Sequence, residues 1–321
     1  MSAAPSAGST FPSSAAPQRA PTLRERITRN PVVLKELRGR MRGVRAFVLL
    51  TFHLLVMSGF VLFLLFTYQA SSNYVYNTLT AQMLGKYLFA GLVGIELLLA
   101  SFITPAVTAS AISGERERQT LDLLKTTLLP AHSLVLGKLT AALVFVLLLL
   151  VAGLPLQSLS FLLGGVAPEE IMIASVLLIA TAFLYGTAGI FFSTLMRRTL
   201  GATVLTYAFT LLTILGLPLI MIPVVLLGPA WSTPRLAVQV ALYYGLGALV
   251  ATNPLAAALV TETVLTNEHT TFFFTQTLYS SSGQSLTIPL VSPWLPFTLF
   301  CFGLGVVLVV VSMWLVRRVE R

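Results

Sequence analysis

The residues of this chain that could do chemistry are few and do not group. Glu96 is the one acid inside a long apolar run, and a carboxylate at membrane depth is costly enough to mark a possible intramembrane polar site. Several readings of it stand open: it is protonated, it pairs with Lys86 about three turns away through distortion, it faces a partner subunit, or it lies shallow and bonds a neighbouring helix. His53, in the first apolar run, sits among Leu, Phe and Val, where a lone imidazole more often makes one interhelical hydrogen bond than binds metal. His132 and His269 have no sequence reason to join it, so no metal site is assigned. Cys301 is alone, which excludes a disulfide within the chain. Gly137-Lys138 is followed by Leu139 and lacks the earlier glycine of a P-loop. The chain therefore reads as no enzyme, with no catalytic residue and no cofactor bound by its own side chains.

The other chemically expressive stretch is Ser113 to Lys138, the long polar interruption that carries both signs of charge. Ser113 can cap a helix, and Glu115 and Glu117 suit its positive N-terminus. Leu121, Leu124 and Leu128 recur at steps of three and four and draw one apolar stripe, while Arg118, Asp122 and Lys125 fall on other faces. Pro130 ends the helix. An amphipathic helix over about 113–130 suits a groove on a soluble partner, or it lies flat on lipid headgroups.

The elements that hold these residues follow from composition. The chain has 321 residues, 56% hydrophobic and 10% charged, against about 25% charged in soluble domains. With a mean hydropathy of +0.89 it is an integral membrane protein. Six apolar runs are long enough to cross a bilayer: 46–68, 87–112, 139–161, 171–196, 200–227 and 294–316. All must be helical to satisfy their own backbone, so the fold class is all-α and polytopic. Pro105, Pro155, Pro218 and Pro223 fall inside spans, and Trp294 and Trp314 near the ends of the last span read as interfacial anchors.

Residues 1–23, rich in Ala, Ser and Pro, read as a disordered tail. Residues 24–45 form an interfacial helix with Lys35, Arg38, Arg42 and Arg45 set largely apart from Val33, Leu37, Met41 and Val44, a pattern that suits anionic lipid. The formal charge of +9 does not point to nucleic acid, because the basic residues flank spans and carry no interleaved aromatics. The loop 71–86 is expected to be short and polar. In the long segment 228–293, residues 235–260 are expected to form two short re-entrant or surface helices, and 261–289 to be irregular.

Counted by side, eighteen of the twenty Lys and Arg fall with the N-terminus and only Lys86 and Arg235 fall opposite. The positive-inside rule then places both termini and the 113–138 stretch in the cytoplasm.

The order of a span, ERERQTLDLLKTT (Glu115 to Thr127) and GK leading into the next span resembles the permease subunits of type-2 ATP-binding-cassette (ABC) exporters. NPVVLKELRGRMRG (Asn30 to Gly43) is similar to the connecting helix that precedes the first span in bacterial members. The resemblance implies that the segment between the second and third spans is the coupling helix that docks on an ATPase subunit. Leu121, Leu124 and Leu128 would fill its groove, Glu115, Arg116, Glu117 and Arg118 would form rim ion pairs, and Thr120 belongs to the same segment. It further implies a second permease copy or paralogue, two P-loop ATPase subunits that bring ATP and Mg, and a bacterial-type inner membrane. The Glu-Ala-Ala pattern of importer permeases is absent, which leans the direction to export. Two other classes remain: an ion-gradient-driven transporter or channel using Glu96, and a membrane scaffold that moves nothing.

Overall fold

The computed structural model describes residues 36, 39, 43–71, 78–120, 131–227, 236–268, 270–279 and 285–319. Expectations placed on residues 1–23, on Lys35, Arg38 and Arg42, on Leu121, Leu124 and Leu128, and on His269 lie outside these residues, as does the side chain of Arg45.

In chain order the helices are α1 (Val44–Ser71), α2 (Thr78–Thr108), α3 (Ser113–Glu117), α4 (Ala131–Leu162), α5 (Pro168–Leu195), α6 (Thr199–Leu227), α7 (Leu236–Val250) and α8 (Pro254–Glu268). Strands β1 (Phe273–Tyr279) and β2 (Ser285–Val291) and the last helix, α9 (Trp294–Val319), follow. Six of the helices, α1, α2, α4, α5, α6 and α9, are long and apolar enough to cross a membrane. The protein is an all-α polytopic membrane protein with one small hairpin added.

Helix α5 is the centre of the bundle. Ala180, Tyr185, Ala188 and Ile190 on it are fully buried, and it packs against α2, α4, α6 and α9. Small residues allow this, since lipid offers no hydrophobic drive between spans and close backbone approach must supply the contact. Gly189 lies so close to Thr108 that a Cβ there would collide with its hydroxyl. Val93 and Leu97 of α2, Val146 and Leu150 of α4 and Leu178 of α5 form one core cluster. Helix α1 sits at the edge against α2 and α4, with Phe47, Phe52, Leu55, Leu62, Phe63 and Phe66 exposed, as a lipid-facing helix requires.

The turn between α4 and α5 depends on glycine. Gly164 (φ 77°) and Gly165 (φ 97°) take left-handed backbone, and Gly165 lies against the backbone of Gln82. Pro168 then opens α5 with Glu169 and Glu170 in its first turn, where the helix dipole favours acids.

Pro218 inside α6 has no N–H, which leaves the Ile214 carbonyl without its helical donor. Asn253 fills the gap, its Nδ2 donating to the carbonyls of Ile214 at 2.7 Å and Thr213 at 2.9 Å. The same side chain caps α8 by accepting the N–H of Ala256 at 2.9 Å.

Several boundaries differ from those expected. The second crossing helix begins at Thr78 instead of Tyr87, and the third at Ala131 instead of Leu139. Lys86 and Lys138 therefore lie within helices. Each is tolerated because its ammonium finds a partner: Lys86 Nζ bonds Thr266 Oγ1 at 3.3 Å, and Lys138 meets two carboxylates. Among its described residues the stretch 261–289 is largely regular. Helix α8 runs through Glu268, and β1 and β2 pair antiparallel from Phe273↔Val291 to Tyr279↔Ser285. Threonines that suggested a loop serve as β-formers here, with Thr277 opposite Thr287, and Pro289 is accommodated because both strands are edges.

Trp294 anchors the start of α9 by donating its indole N–H to the Thr271 carbonyl at 2.7 Å. At the other end, Arg318 lies 5.3 Å from the ring of Trp314.

Candidate functional site

The charged segment leaves α2 by a tight turn, in which Ala111 N–H donates to the Thr108 carbonyl and Gly114 N–H to the Ser110 carbonyl. Helix α3 follows with Ile112 as its N-cap, and no side chain caps it. Ser113, expected to cap, does not; the turn already supplies backbone acceptors. Ser193 of α5 takes over, its Oγ accepting the N–H groups of Ile112 and Ser113, each at 2.9 Å. Sequence reasoning missed Ser193, which looks like any small residue of a packed span.

The next two side chains clip the neighbouring helix ends. Arg116 donates from Nη1 to the Met196 carbonyl at 3.1 Å and from Nη2 to the Thr194 carbonyl at 3.4 Å, satisfying the negative C-terminal end of α5. Glu117 accepts the Thr199 N–H at Oε1 and the Thr199 hydroxyl at Oε2, both at 2.9 Å, which caps the positive N-terminal end of α6. The sharp α5–α6 turn is thus held from both sides by adjacent residues of α3.

Glu115 completes the attachment. Its Oε1 lies 3.3 Å from Lys138 Nζ, which is also 2.9 Å from Glu36 Oε1 and is 4% exposed. The Thr120 hydroxyl donates to the Glu115 carboxylate and to its carbonyl. Gln119 turns the chain out with φ 58°, a left-handed conformation that commonly ends a helix. Of the four charged residues expected on the rim, Glu115, Arg116 and Glu117 bond within the chain, whereas Arg118 is exposed. Beyond Thr120 the segment lies outside the described residues.

Glu96 is elsewhere, fully buried between α1, α2 and α4. Gln157 of α4 donates its Nε2 hydrogen to Glu96 Oε2, and His53 Nε2 of α1 stands 4.0 Å from Glu96 Oε1. Gly153, one turn before Gln157, leaves the space that the carboxyl fills. Neither the distorted pairing with Lys86 nor an outward-facing carboxylate is found. Glu96 bonds a neighbouring helix, and His53 sits beside it with no hydrogen bond at either ring nitrogen among the described residues. Gln157 was missed, although an amide in an otherwise apolar span is a readable signal.

Residues 31–242 match the family described as ABC-2 family transporter protein. The chain belongs to that family. No curated protein shows a match to it. As an ABC-2 permease it is the multi-pass membrane component of an ABC transporter, a component that associates with ABC ATPases. The family match supports the permease reading over the ion-driven and scaffold alternatives. The matched region spans both α3, with its clips, and the Glu96 cluster.

Proposed function

We propose that this permease forms the path of an ATP-driven exporter, paired with a second permease and with two ATPase subunits that dock on residues 113–130. The attachment of α3 supports this most. A load on the residues after Thr120 meets a short helix bonded to the end of α5, the start of α6 and, through Lys138, the first turns of α4. Movement of the segment therefore moves three spans together, which is how a rigid-body change would pass from an ATPase into the membrane. ATP and Mg are held by the partner, and this chain contributes only binding and motion. The basic bias puts the segment and both termini on the cytoplasmic face of a bacterial-type inner membrane. Basic residues 35, 38, 42 and 45 then lie along its anionic leaflet.

Sidedness tests this first. Cys301 is buried and the chain's only cysteine, so Arg118→Cys adds a single exposed thiol. A membrane-impermeant maleimide is expected to label it in inside-out vesicles and leave it unlabelled in intact cells. Labelling from outside intact cells overturns the orientation and, with it, ATPase docking on this segment.

A further inference from the structure

We propose that the cavity between α2, α5 and α8 binds a lipophilic organic cation, with its charge against Glu262 and Glu170 and its apolar body directed inward. The inner chamber has a volume of about 330 Å³ and is lined by residues such as Phe89, Leu97, Ile173, Leu177 and Ala258. That is within the range of small-molecule sites. It adjoins a wider cleft of about 790 Å³ at the end of the bundle away from α3, and both are lined by Glu170 and Glu262. The carboxylates thus stand where the apolar chamber meets the open cleft.

The polar groups favour a cation over an anion or a neutral molecule. Among the described residues Lys86 is the one base lining the cleft, and its ammonium is bonded to Thr266. Among the described residues lining the cleft, two carboxylates stand with one ammonium. Thr261 lines the inner chamber, is 2% exposed, and its hydroxyl has no hydrogen-bond partner among the described residues. A buried hydroxyl without a partner is costly, which marks one polar point in the chamber without selecting the charge of a guest. Glu262 is half-buried, and burial first, then the nearby Glu170 charge, push its carboxyl up to about 7 against the opposing effect of Lys86. A bound cation would favour its charged form.

The titratable groups lining the cleft with Glu262 are Glu170 from α5 and Lys86 and Tyr87 from α2. Glu268, on α8 itself, lines a different cavity. Helices α6 and α7 carry no acid, Lys, Arg or His, and α9 carries only Arg317 and Arg318 at its far end. Glu262, pushed up to about 7, is a group in this cleft expected to change charge near neutrality.

The test uses the full chain in nanodiscs with labelled tetraphenylphosphonium, a cation whose own charge does not titrate, and with tetraphenylborate as its anionic match in shape. Saturable phosphonium binding above that of empty nanodiscs is expected at about pH 8, weakening by about tenfold or more at about pH 5.5 as Glu262 protonates. Glu262→Gln should weaken it by about tenfold and abolish the pH dependence, while Glu262→Asp keeps part of both. The Gln variant should melt no lower than the parent at about pH 8, because it removes a charge the fold disfavours. Equal binding by parent and Glu262→Gln, absence of a pH effect, or preference for tetraphenylborate would overturn the proposal. Binding of the cation does not rest on the permease reading. Binding needs no ATPase, so failure here leaves docking at α3 standing, and loss of docking leaves phosphonium binding intact.

Discussion

Leu124→Asp is expected to strip the co-purifying ATPase from this permease while the variant still inserts and folds. Leu124 is the central member of the stripe Leu121, Leu124 and Leu128. Burying a leucine in a partner's groove contributes about 2 kcal/mol, and forcing a carboxylate into the same place adds a desolvation cost of about the same size or larger. Affinity for the ATPase should fall by about a hundredfold or more, since every 1.4 kcal/mol or so is tenfold. Co-purification measured by quantitative blotting, with size-exclusion behaviour as the folding control, reads the effect. Full retention of the ATPase in a folded variant would remove the stripe from the interface. The membrane helices should be indifferent to the change, because the substitution lies in the segment between α3 and α4 and outside both.

Arg116→Ala and Glu117→Ala should separate docking from the transmission of motion. Both side chains are spent within the permease, one on the carbonyl end of α5 and the other on the N–H end of α6. Removing either should leave ATPase binding within about twofold, because the apolar stripe is untouched. Permease-dependent stimulation of ATP hydrolysis should fall by about threefold, and by less for the exposed Glu117 than for the part-buried Arg116. Glu117→Gln retains a carbonyl that can accept the Thr199 N–H and should recover part of the loss. A proportional fall in binding and stimulation would mean that these residues form the partner's rim instead of the permease's internal clip.

The spans were legible because their length and apolarity are set by the bilayer and not by tertiary contact. What misled the boundaries was charge. Lys86 and Lys138 read as loop residues because a lysine in a span is expensive, and only contacts with Thr266, Glu36 and Glu115, distant in sequence, make them affordable. Periodicity likewise gives each helix a face but no register against its neighbours, so Glu96 was found while Gln157 and the approach of His53 were not. Asn253 was read as half of a breaking pair with Pro254. Its second task, supplying the donor that Pro218 removes from α6, depends on Asn253 meeting the Ile214 carbonyl across the fold. The hairpin was missed because Ser and Thr in 261–289 fit a loop by polarity and a strand by shape, and only pairing decides between them.

For the charged segment, the sequence set Glu115 and Glu117 against the N-terminus of their own helix, and the family resemblance placed Glu115, Arg116, Glu117 and Arg118 on a partner's rim. In the folded chain Arg116 and Glu117, the latter still exposed, bond inward to Met196, Thr194 and Thr199, which present unsatisfied helix ends at the right distance, while Arg118 is exposed. The proposed docking on the apolar stripe beyond Thr120 does not require the charges that Arg116 and Glu117 spend within the chain.

Contact at that stripe can be observed directly by placing a photo-reactive benzoylphenylalanine at position 124 in native membranes and irradiating. The account predicts a covalent adduct between the permease and a soluble P-loop ATPase, lost when the ATPase is absent. Adducts formed with lipid alone would mean that the segment lies flat on the bilayer and receives no motion from an ATPase.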